Sequence, residues 1–454
     1  MKPKFSTTTT TAAAIFIVSI FMVTQVPGIS QAKSAPDRVT CRVETDRSVL
    51  PAGDPQNVIL KISLDAPTVP ENTTRPRVNI ALVMDRSGSM GGTKIQMAKA
   101  AAMEALSRLG KDDVFSLVTY DTEVTTRVPA QKVKETGSII RAIKSIEAGG
   151  NTALFGGVSQ GAAEIRKNVE GDYVNRVVLL SDGIANVGPS NPSDLGRLGA
   201  GLFKENISVT TVGVGTDYNE DLMAQLAQKS DGNTYFAESG RDLPRIFAAE
   251  LGNVLNVVAK QVVVTITLPS GIEPVEIIGR EGRIRGNRIE LAMNQLYGGQ
   301  EKFALVEVRM DGQKDGSSVK IAKADVSYQD PFSMKTLGAQ AEATARFSLN
   351  KAKIEASTNA QVVKDYQLNL NALAQEKAIE LSDQGKTKEA AQKLRQSAAA
   401  LRGFAGKYND EQAFEEAQES EIQADVLETQ GMSKKSRKAL RTKSYQMKNQ
   451  QIQK

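Results

Sequence analysis

Residues 78–90 read VNIALVMDRSGSM, a mostly apolar run that ends in a loop rich in oxygen-bearing side chains. An uncharged run of this kind is typical of a strand buried on both faces, as in a parallel sheet covered by helices. The loop places the carboxylate of Asp85 and the hydroxyls of Ser87 and Ser89 at alternate positions, and Gly88 gives it backbone freedom. Because ligands bind beyond the carboxyl ends of strands in open α/β sheets, this stretch predicts both a fold class and a binding site.

The pattern continues through residues 77–260, where segments that predict buried strands alternate with segments that predict helices. The predicted strands are 78–84, 114–120, 123–128, 176–180, 208–214 and 234–237. The predicted helices are 93–109, 136–146, 154–167, 192–204, 220–228 and 243–258. The third strand is more polar and follows the second closely, which predicts a hairpin at the sheet edge. This interval therefore predicts a doubly wound α/β domain.

The flanking segments predict different structures. Residues 33–76 and 261–347 contain alternating apolar runs and turn signals, which are typical of β-strands. A β segment before the α/β interval and a β-rich block after it suggest one sandwich into which the α/β domain is inserted. Residues 348–430 predict helices, and a plain helical hairpin at 372–401 is favoured over a single tetratricopeptide-like unit, which could not bury a core alone.

The N-terminus, residues 1–32, predicts a secretory signal peptide. Lys2 and Lys4 precede an apolar stretch at 12–23, and small residues follow at positions 30 and 32. The stretch is shorter than the roughly 20 residues that span a bilayer, which favours a cleaved signal over an anchor. We therefore expect an exported protein in the periplasm, the cell envelope or the extracellular space, and we do not expect a nucleic-acid partner.

The C-terminal segment, residues 431–454, contains eight basic residues and no acidic residue, in a chain of formal net charge +5. The favoured interpretation is a solvated helix end or a disordered tail. The alternative is contact with an anionic polymer or membrane surface.

Five oxygen donors fall at comparable places in the predicted α/β domain. They follow the first strand, lie in a loop that enters a helix, or follow the fourth strand, and they are Asp85, Ser87, Ser89, Thr152 and Asp182. Two carboxylates and three hydroxyls, without nitrogen or sulfur, suit a hard divalent cation. Mg²⁺ is the first expectation, and Mn²⁺ or Ca²⁺ is the next.

This arrangement resembles the metal-ion-dependent adhesion site of the von Willebrand factor A family. That site has Asp-x-Ser-x-Ser after the first strand, a Thr in a later loop and an Asp after the fourth strand, and all five positions are present in order. The resemblance covers about residues 77–260 and is strongest to the group that includes inter-alpha-trypsin inhibitor heavy chains and bacterial exported A-domain proteins. It implies a Rossmann-like domain whose hydroxyls ligate directly and whose Asp side chains ligate directly or through water.

The ligand set also predicts how such a site works. Mg²⁺ prefers six ligands, so five side chains leave a water that an acidic residue of a partner protein can replace. We expect an exported metal-dependent binding module of the adhesion type. The alternative is a structural or assembly scaffold of the cell envelope that acts through its helical C-terminal region.

Catalysis is not expected. The chain contains no histidine, which excludes Ser-His and Cys-His nucleophile pairs and His-ligated zinc. Asp85 and Asp182 are expected to be metal ligands, which leaves no obvious general base. Arg86, inside the loop, is expected to be a solvated side chain rather than an anchor for a partner.

Overall fold

The structure, a computed structural model, describes residues 38–69, 75–169 and 172–451. The predicted signal peptide at residues 1–32 lies outside these described residues. The first elements are three strands: β1 (Thr40–Thr45), β2 (Val49–Pro51) and β3 (Gln56–Asp65).

An α/β domain follows β3. Its strands are β4 (Arg77–Asp85), β5 (Val114–Tyr120), β6 (Val124–Lys132), β7 (Tyr173–Ser181), β8 (Ile207–Val214) and β9 (Thr234–Ala237). Its helices are α1 (Thr93–Ser107), α2 (Thr136–Lys144), α3 (Leu154–Arg166), α4 (Pro192–Lys204), α5 (Glu220–Ser230) and α6 (Leu243–Val254). The strand order is β6-β5-β4-β7-β8-β9, and the pairings are parallel apart from that of β6 with β5.

The four central strands of this sheet are buried along almost their whole length. One face packs on α1, α2 and α6, and the other packs on α3, α4 and α5. The doubly wound fold class is therefore confirmed, and β6 forms the antiparallel edge that its polarity predicted. The helix expected at 243–258 ends earlier, at Val254, because Val257 already pairs in the next strand.

The chain then returns to strands. These are β10 (Val257–Thr267), β11 (Ile272–Ile278), β12 (Arg283–Arg285), β13 (Arg288–Tyr297), β14 (Glu301–Met310), β15 (Ser318–Gln329) and β16 (Thr336–Ser348). Two sheets form, in the orders β1-β3-β14-β11 and β12-β13-β10-β15-β16-β2. Residues of both sheets share one apolar core, which includes Leu60, Ile62, Val264 and Phe347. Each sheet combines strands from before and after the α/β domain, so that domain is inserted into a sandwich.

The last region is helical. Its helices are α7 (Lys351–Ala356), α8 (Ala360–Asp383), α9 (Thr387–Tyr408), α10 (Glu411–Gln430) and α11 (Lys434–Lys448). The hairpin expected at 372–401 corresponds to parts of α8 and α9, and α10 packs on α9 to extend it. In the described part of the chain, no helix is both long and apolar enough to cross a membrane.

The basic C-terminal segment is not a free tail. Most of it forms α11, which packs against α8, α5 and β9. Arg437 contacts the carboxylates of Glu220, Asp221 and Asp383, and the buried ammonium of Lys438 lies 2.6 Å from Glu220. The solvated-tail interpretation was wrong because the neutralising carboxylates lie far away in sequence.

The other described charges of this segment are satisfied in the same way. Every basic residue between 431 and 451 pairs with a carboxylate of the same chain. Besides Arg437 and Lys438, these residues are Lys434, Lys435, Arg441, Lys443 and Lys448. The pairs of Lys434, Lys435 and Arg441 connect the helical region to the α/β domain, whereas those of Lys443 and Lys448 lie within the helical region. The segment therefore acts within the fold as an electrostatic bridge.

Replacing Arg437 by Ala is expected to lower the free energy of unfolding by about 2 to 4 kcal/mol, because three carboxylates lose a largely buried partner. The matched control is Lys434→Ala, since Lys434 is 73% exposed and its partner Asp217 is also exposed. We expect that control to stay within about 0.5 kcal/mol of the wild type. Urea unfolding, followed by circular dichroism, measures the free energy of unfolding of both variants. Equal effects of the two substitutions would contradict a stabilising role for the ion pairs of Arg437.

Candidate metal centre

The predicted donors lie beyond the carboxyl ends of β4 and β7. These strands pair in parallel with Met84 opposite Leu180, so Asp85 and Asp182 emerge at the same sheet edge. Both Asp side chains are fully buried, and Ser87 and Thr152 are nearly so. Ser89 is exposed, which identifies the side from which the site opens to solvent.

Hydrogen bonds connect four of the five predicted donors. The backbone N–H of Ser87 donates to Oδ1 of Asp85 at 2.8 Å, and the hydroxyl of Ser181 donates to Oδ2 at 2.7 Å. The hydroxyl of Ser89 donates to Oδ1 of Asp182 at 2.7 Å. The hydroxyl oxygens of Ser87 and Ser89 are 3.1 Å apart. These side chains therefore form one cluster of oxygen atoms.

Gly183 shows that Thr152 belongs to the same cluster. A Cβ atom on Gly183 would lie 3.1 Å from Oγ1 of Thr152, 3.4 Å from Oγ of Ser89 and 3.7 Å from Oγ of Ser87. Three hydroxyls therefore surround a space that any larger residue would fill. A space bounded by hydroxyls beside two buried carboxylates fits a hard divalent cation.

The loop that carries Thr152 is held by the first strands of the domain. The backbone N–H of Gly149 donates to the carbonyl of Arg86 at 2.7 Å, and the guanidinium of Arg86 lies 2.5 Å from Asp121 at the end of β5. The backbone N–H of Thr152 donates to Oδ1 of Asn186 at 2.8 Å. The expectation of a solvated Arg86 was wrong because β5 pairs beside β4 and brings Asp121 within reach.

Sequence reasoning missed two polar partners of the cluster. Ser181 directly precedes Asp182 and supports Asp85 across the β4–β7 pair. Lys94, in the first turn of α1, directs its ammonium at Oδ2 of Asp182. Lys94 could have been predicted from the sequence, because it lies in the helix that directly follows the loop. Ser181 could not, because its partner Asp85 belongs to another strand.

Burial dominates the electrostatics of this site. Burial raises the pKa of the Asp85 carboxyl, the nearby charge of Asp182 adds to this effect, and the hydrogen bonds from Ser87 and Ser181 oppose it, so that the pKa is about 6. Two buried carboxylates at one edge are unfavourable without a cation, and a bound cation would favour their charged forms.

Comparison with known proteins supports the α/β domain. Residues 79–249 match the von Willebrand factor type A domain family. The chain is 27% identical to the "Uncharacterized protein sll0103" of Synechocystis sp., over 74% of this chain and 80% of that protein. It is 24% identical to protein YfbK of Escherichia coli over 57% of this chain, and 26% identical to inter-alpha-trypsin inhibitor heavy chain H3 of Pongo abelii over 39%. These matches span 46% of YfbK and 22% of the heavy chain.

Solved structures resemble more than the α/β domain. A von Willebrand factor type A protein from Catenulispora acidiphila superposes with a TM-score of 0.68 at 15% identity and covers 89% of this chain and 99% of its own. The ArnB paralog VWA2 from Sulfolobus acidocaldarius superposes with a TM-score of 0.62 at 17% identity. That match covers 90% of this chain and 98% of the paralog. At these identities the likeness concerns the fold, and it includes the flanking regions.

Replacing Gly183 by Ala is expected to abolish divalent-cation binding, because the new methyl group would fill the space between the three hydroxyls. The midpoint of thermal unfolding in EDTA should change by less than about 3 °C, since the contacts are tight but local. Gly201→Ala is the matched control, because a Cβ at that position meets nothing within 4 Å. Isothermal titration with Mg²⁺ measures binding, and unchanged affinity in Gly183→Ala would refute the placement of the ion.

Cation binding should also weaken in acid. The pKa of Asp85 is raised by burial to about 6, so its carboxyl is mostly protonated at pH 5 and mostly charged at pH 7. Because the ion needs the charged form, its affinity at pH 5 should be about tenfold lower than at pH 7. Mg²⁺ titrations at pH 5, 6 and 7 test this, and a flat profile would contradict a ligand role for Asp85.

Proposed function

Residues 79–249 form a von Willebrand factor type A domain, and from this premise we propose an exported, non-enzymatic protein that binds an acidic residue of a partner through a divalent cation. Such domains are commonly protein-interaction modules and typically bind a divalent metal. The observation that carries the proposal is the space between the hydroxyls of Ser87, Ser89 and Thr152, beside the buried carboxylates of Asp85 and Asp182.

These five side chains would hold the ion, with Mg²⁺ as the first candidate and Mn²⁺ or Ca²⁺ as the next. Bound there, the ion would supply an open coordination position for a carboxylate oxygen. Hydroxyl ligands carry no charge. They would therefore neutralise less of the positive charge of the ion than a set made only of carboxylates. The exposed Ser89 side is where we place the partner. Arg86 is held by Asp121 and is not the anchor for that partner.

A binding role fits the chemistry of the site better than catalysis. Asp85 accepts hydrogen bonds from Ser87 and Ser181, and Asp182 accepts from Ser89 and Lys94. As ligands of the ion, neither carboxylate would be free to act as a general base. Together with the absence of histidine from the sequence, this supports a non-enzymatic function.

Export is proposed from residues 1–32, whose charge, apolar stretch and small terminal residues are those of a signal peptide. The partner would then be a protein of the periplasm, the cell envelope or the extracellular space. The proposal does not include an anionic surface, because the described charges of the basic C-terminal segment are paired within the chain.

A second candidate is a scaffold of the cell envelope that acts through its helical region. One face of α10 exposes three apolar side chains at helical spacing: Phe414, Ile422 and Val426 are 48%, 55% and 36% exposed. Exposed apolar side chains on one helix face are typical of a contact surface. In this candidate the metal would stabilise the domain only.

The deciding experiment is a pull-down of envelope and secreted proteins by the mature chain in Mg²⁺ and then in EDTA. We expect a partner that the wild type retains, that EDTA releases and that Asp182→Asn does not retain. Asp172→Asn is the matched control, because Asp172 lies at the opposite end of the strand that precedes Asp182 and pairs with Arg77 on the surface.

The same experiment separates the two candidates. A partner that is retained in EDTA and by Asp182→Asn, but is lost in Ile422→Asp, would overturn metal-dependent adhesion and establish the scaffold. Ile422 is exposed, so its replacement should leave the fold intact.

A further inference from the structure

Lys94 occupies a particular place at the metal centre. It lies in the first turn of α1, directly after the loop that carries Ser87 and Ser89. Its ammonium contacts Oδ2 of Asp182, whose other oxygen accepts from Ser89. Asp182 is fully buried, whereas the side chain of Lys94 is 33% exposed. One partner of this ion pair is therefore fixed in the core, and the other reaches it from the solvent side.

The two carboxylates of the centre differ in their partners. The bonds described for Asp85 come from neutral donors, the backbone of Ser87 and the hydroxyl of Ser181. Asp182 has a neutral donor and the cation of Lys94. A buried carboxylate is unfavourable without a counter-charge. Lys94 therefore supplies the positive charge that this cluster needs when no metal is bound.

We propose that Lys94 is a tethered competitor of the divalent cation: its ammonium neutralises Asp182 in the metal-free site and leaves when the ion binds. This inference rests on the proposed metal dependence and adds a residue that sets the affinity. Two cations that share one buried carboxylate repel each other strongly, because the surroundings screen them poorly. Asp182 is held within the core, so the flexible lysine is the partner that moves.

The surroundings of Lys94 allow that movement. Its stem passes near Gly215, where a Cβ atom would lie 3.8 Å from the lysine Nζ, so no side chain blocks the stem there. The Lys94 side chain is already 33% exposed, so rotation of that side chain can bring the ammonium into water. Metal binding would then exchange an internal ion pair for a solvated lysine at the rim of the site, without a change of the backbone.

The test compares Lys94→Met, which keeps length and removes charge, with Lys99→Met on the same helix. Lys99 donates to the carbonyl of Lys144 on the surface, away from the cluster. Lys94→Met should bind Mg²⁺ about tenfold more tightly than the wild type in isothermal titration. Its midpoint of thermal unfolding in EDTA should fall, because Asp182 loses its counter-charge, and Lys99→Met should change neither quantity.

Equal or weaker Mg²⁺ affinity in Lys94→Met would overturn the proposal, since Lys94 would then support the bound ion rather than compete with it. If neither the wild type nor Lys94→Met binds Mg²⁺ or Mn²⁺, the proposed metal-dependent function fails as well. The two failures are therefore distinguishable.

A second measurement uses the unaltered protein and does not depend on the folding of a variant. An amine-reactive ester should modify Lys94 several-fold faster in Mg²⁺ than in EDTA, because the displaced ammonium is solvated, whereas Lys99 should react at the same rate in both. Peptide mass spectrometry reads both sites. Equal or slower modification of Lys94 in Mg²⁺ would overturn the displacement.

Discussion

The parallel pairing of β4 with β7 brings the carboxylates of Asp85 and Asp182 to one sheet edge, where both are removed from water. Buried charges require partners, and much of the surrounding structure supplies them. Ser87 and Ser181 donate to Asp85, and Ser89 and Lys94 donate to Asp182. These bonds join the two carboxylates to the loop after β4, to β7 and to α1. A divalent cation would replace several weak partners by one strong partner, which is why we expect this edge to control binding.

The same domain is fixed to its neighbours by other buried polar groups. Arg176 of β7 is fully buried and donates to Oε1 of Gln295 at 2.6 Å and to the hydroxyl of Tyr297 at 2.9 Å, both in the sandwich strand β13. Its guanidinium also lies 3.6 Å from Glu250 of α6. Strand, helix and sandwich share this network, so these buried contacts join the inserted domain to the sandwich.

On another side, α11 holds the α/β domain through charge. Glu220 and Asp221 lie in the first turn of α5, where acidic side chains interact favourably with the helix dipole. Arg437 and Lys438 of the C-terminal segment pair with these two carboxylates. The solved structures from Catenulispora and Sulfolobus match the chain over about nine-tenths of its length. The sandwich and the helices thus belong to a shared architecture, whereas the similarity to the inter-alpha-trypsin inhibitor heavy chain covers a smaller part.

Local pattern determined much of this protein in advance. Apolar runs of strand length, helical periods between them and five oxygen donors at strand ends predicted the α/β fold and the members of the cluster, because those signals depend on residues close together in the chain. Tertiary structure decided what lies opposite each charge. The ion pair of Lys94 with Asp182 joins residues 88 positions apart, and that of Arg86 with Asp121 joins residues 35 positions apart. The ion pair between the basic segment and α5 joins residues more than 200 positions apart. Coulomb attraction between such partners depends on distance in space, and distance in space follows from strand order and packing, which the sequence does not display.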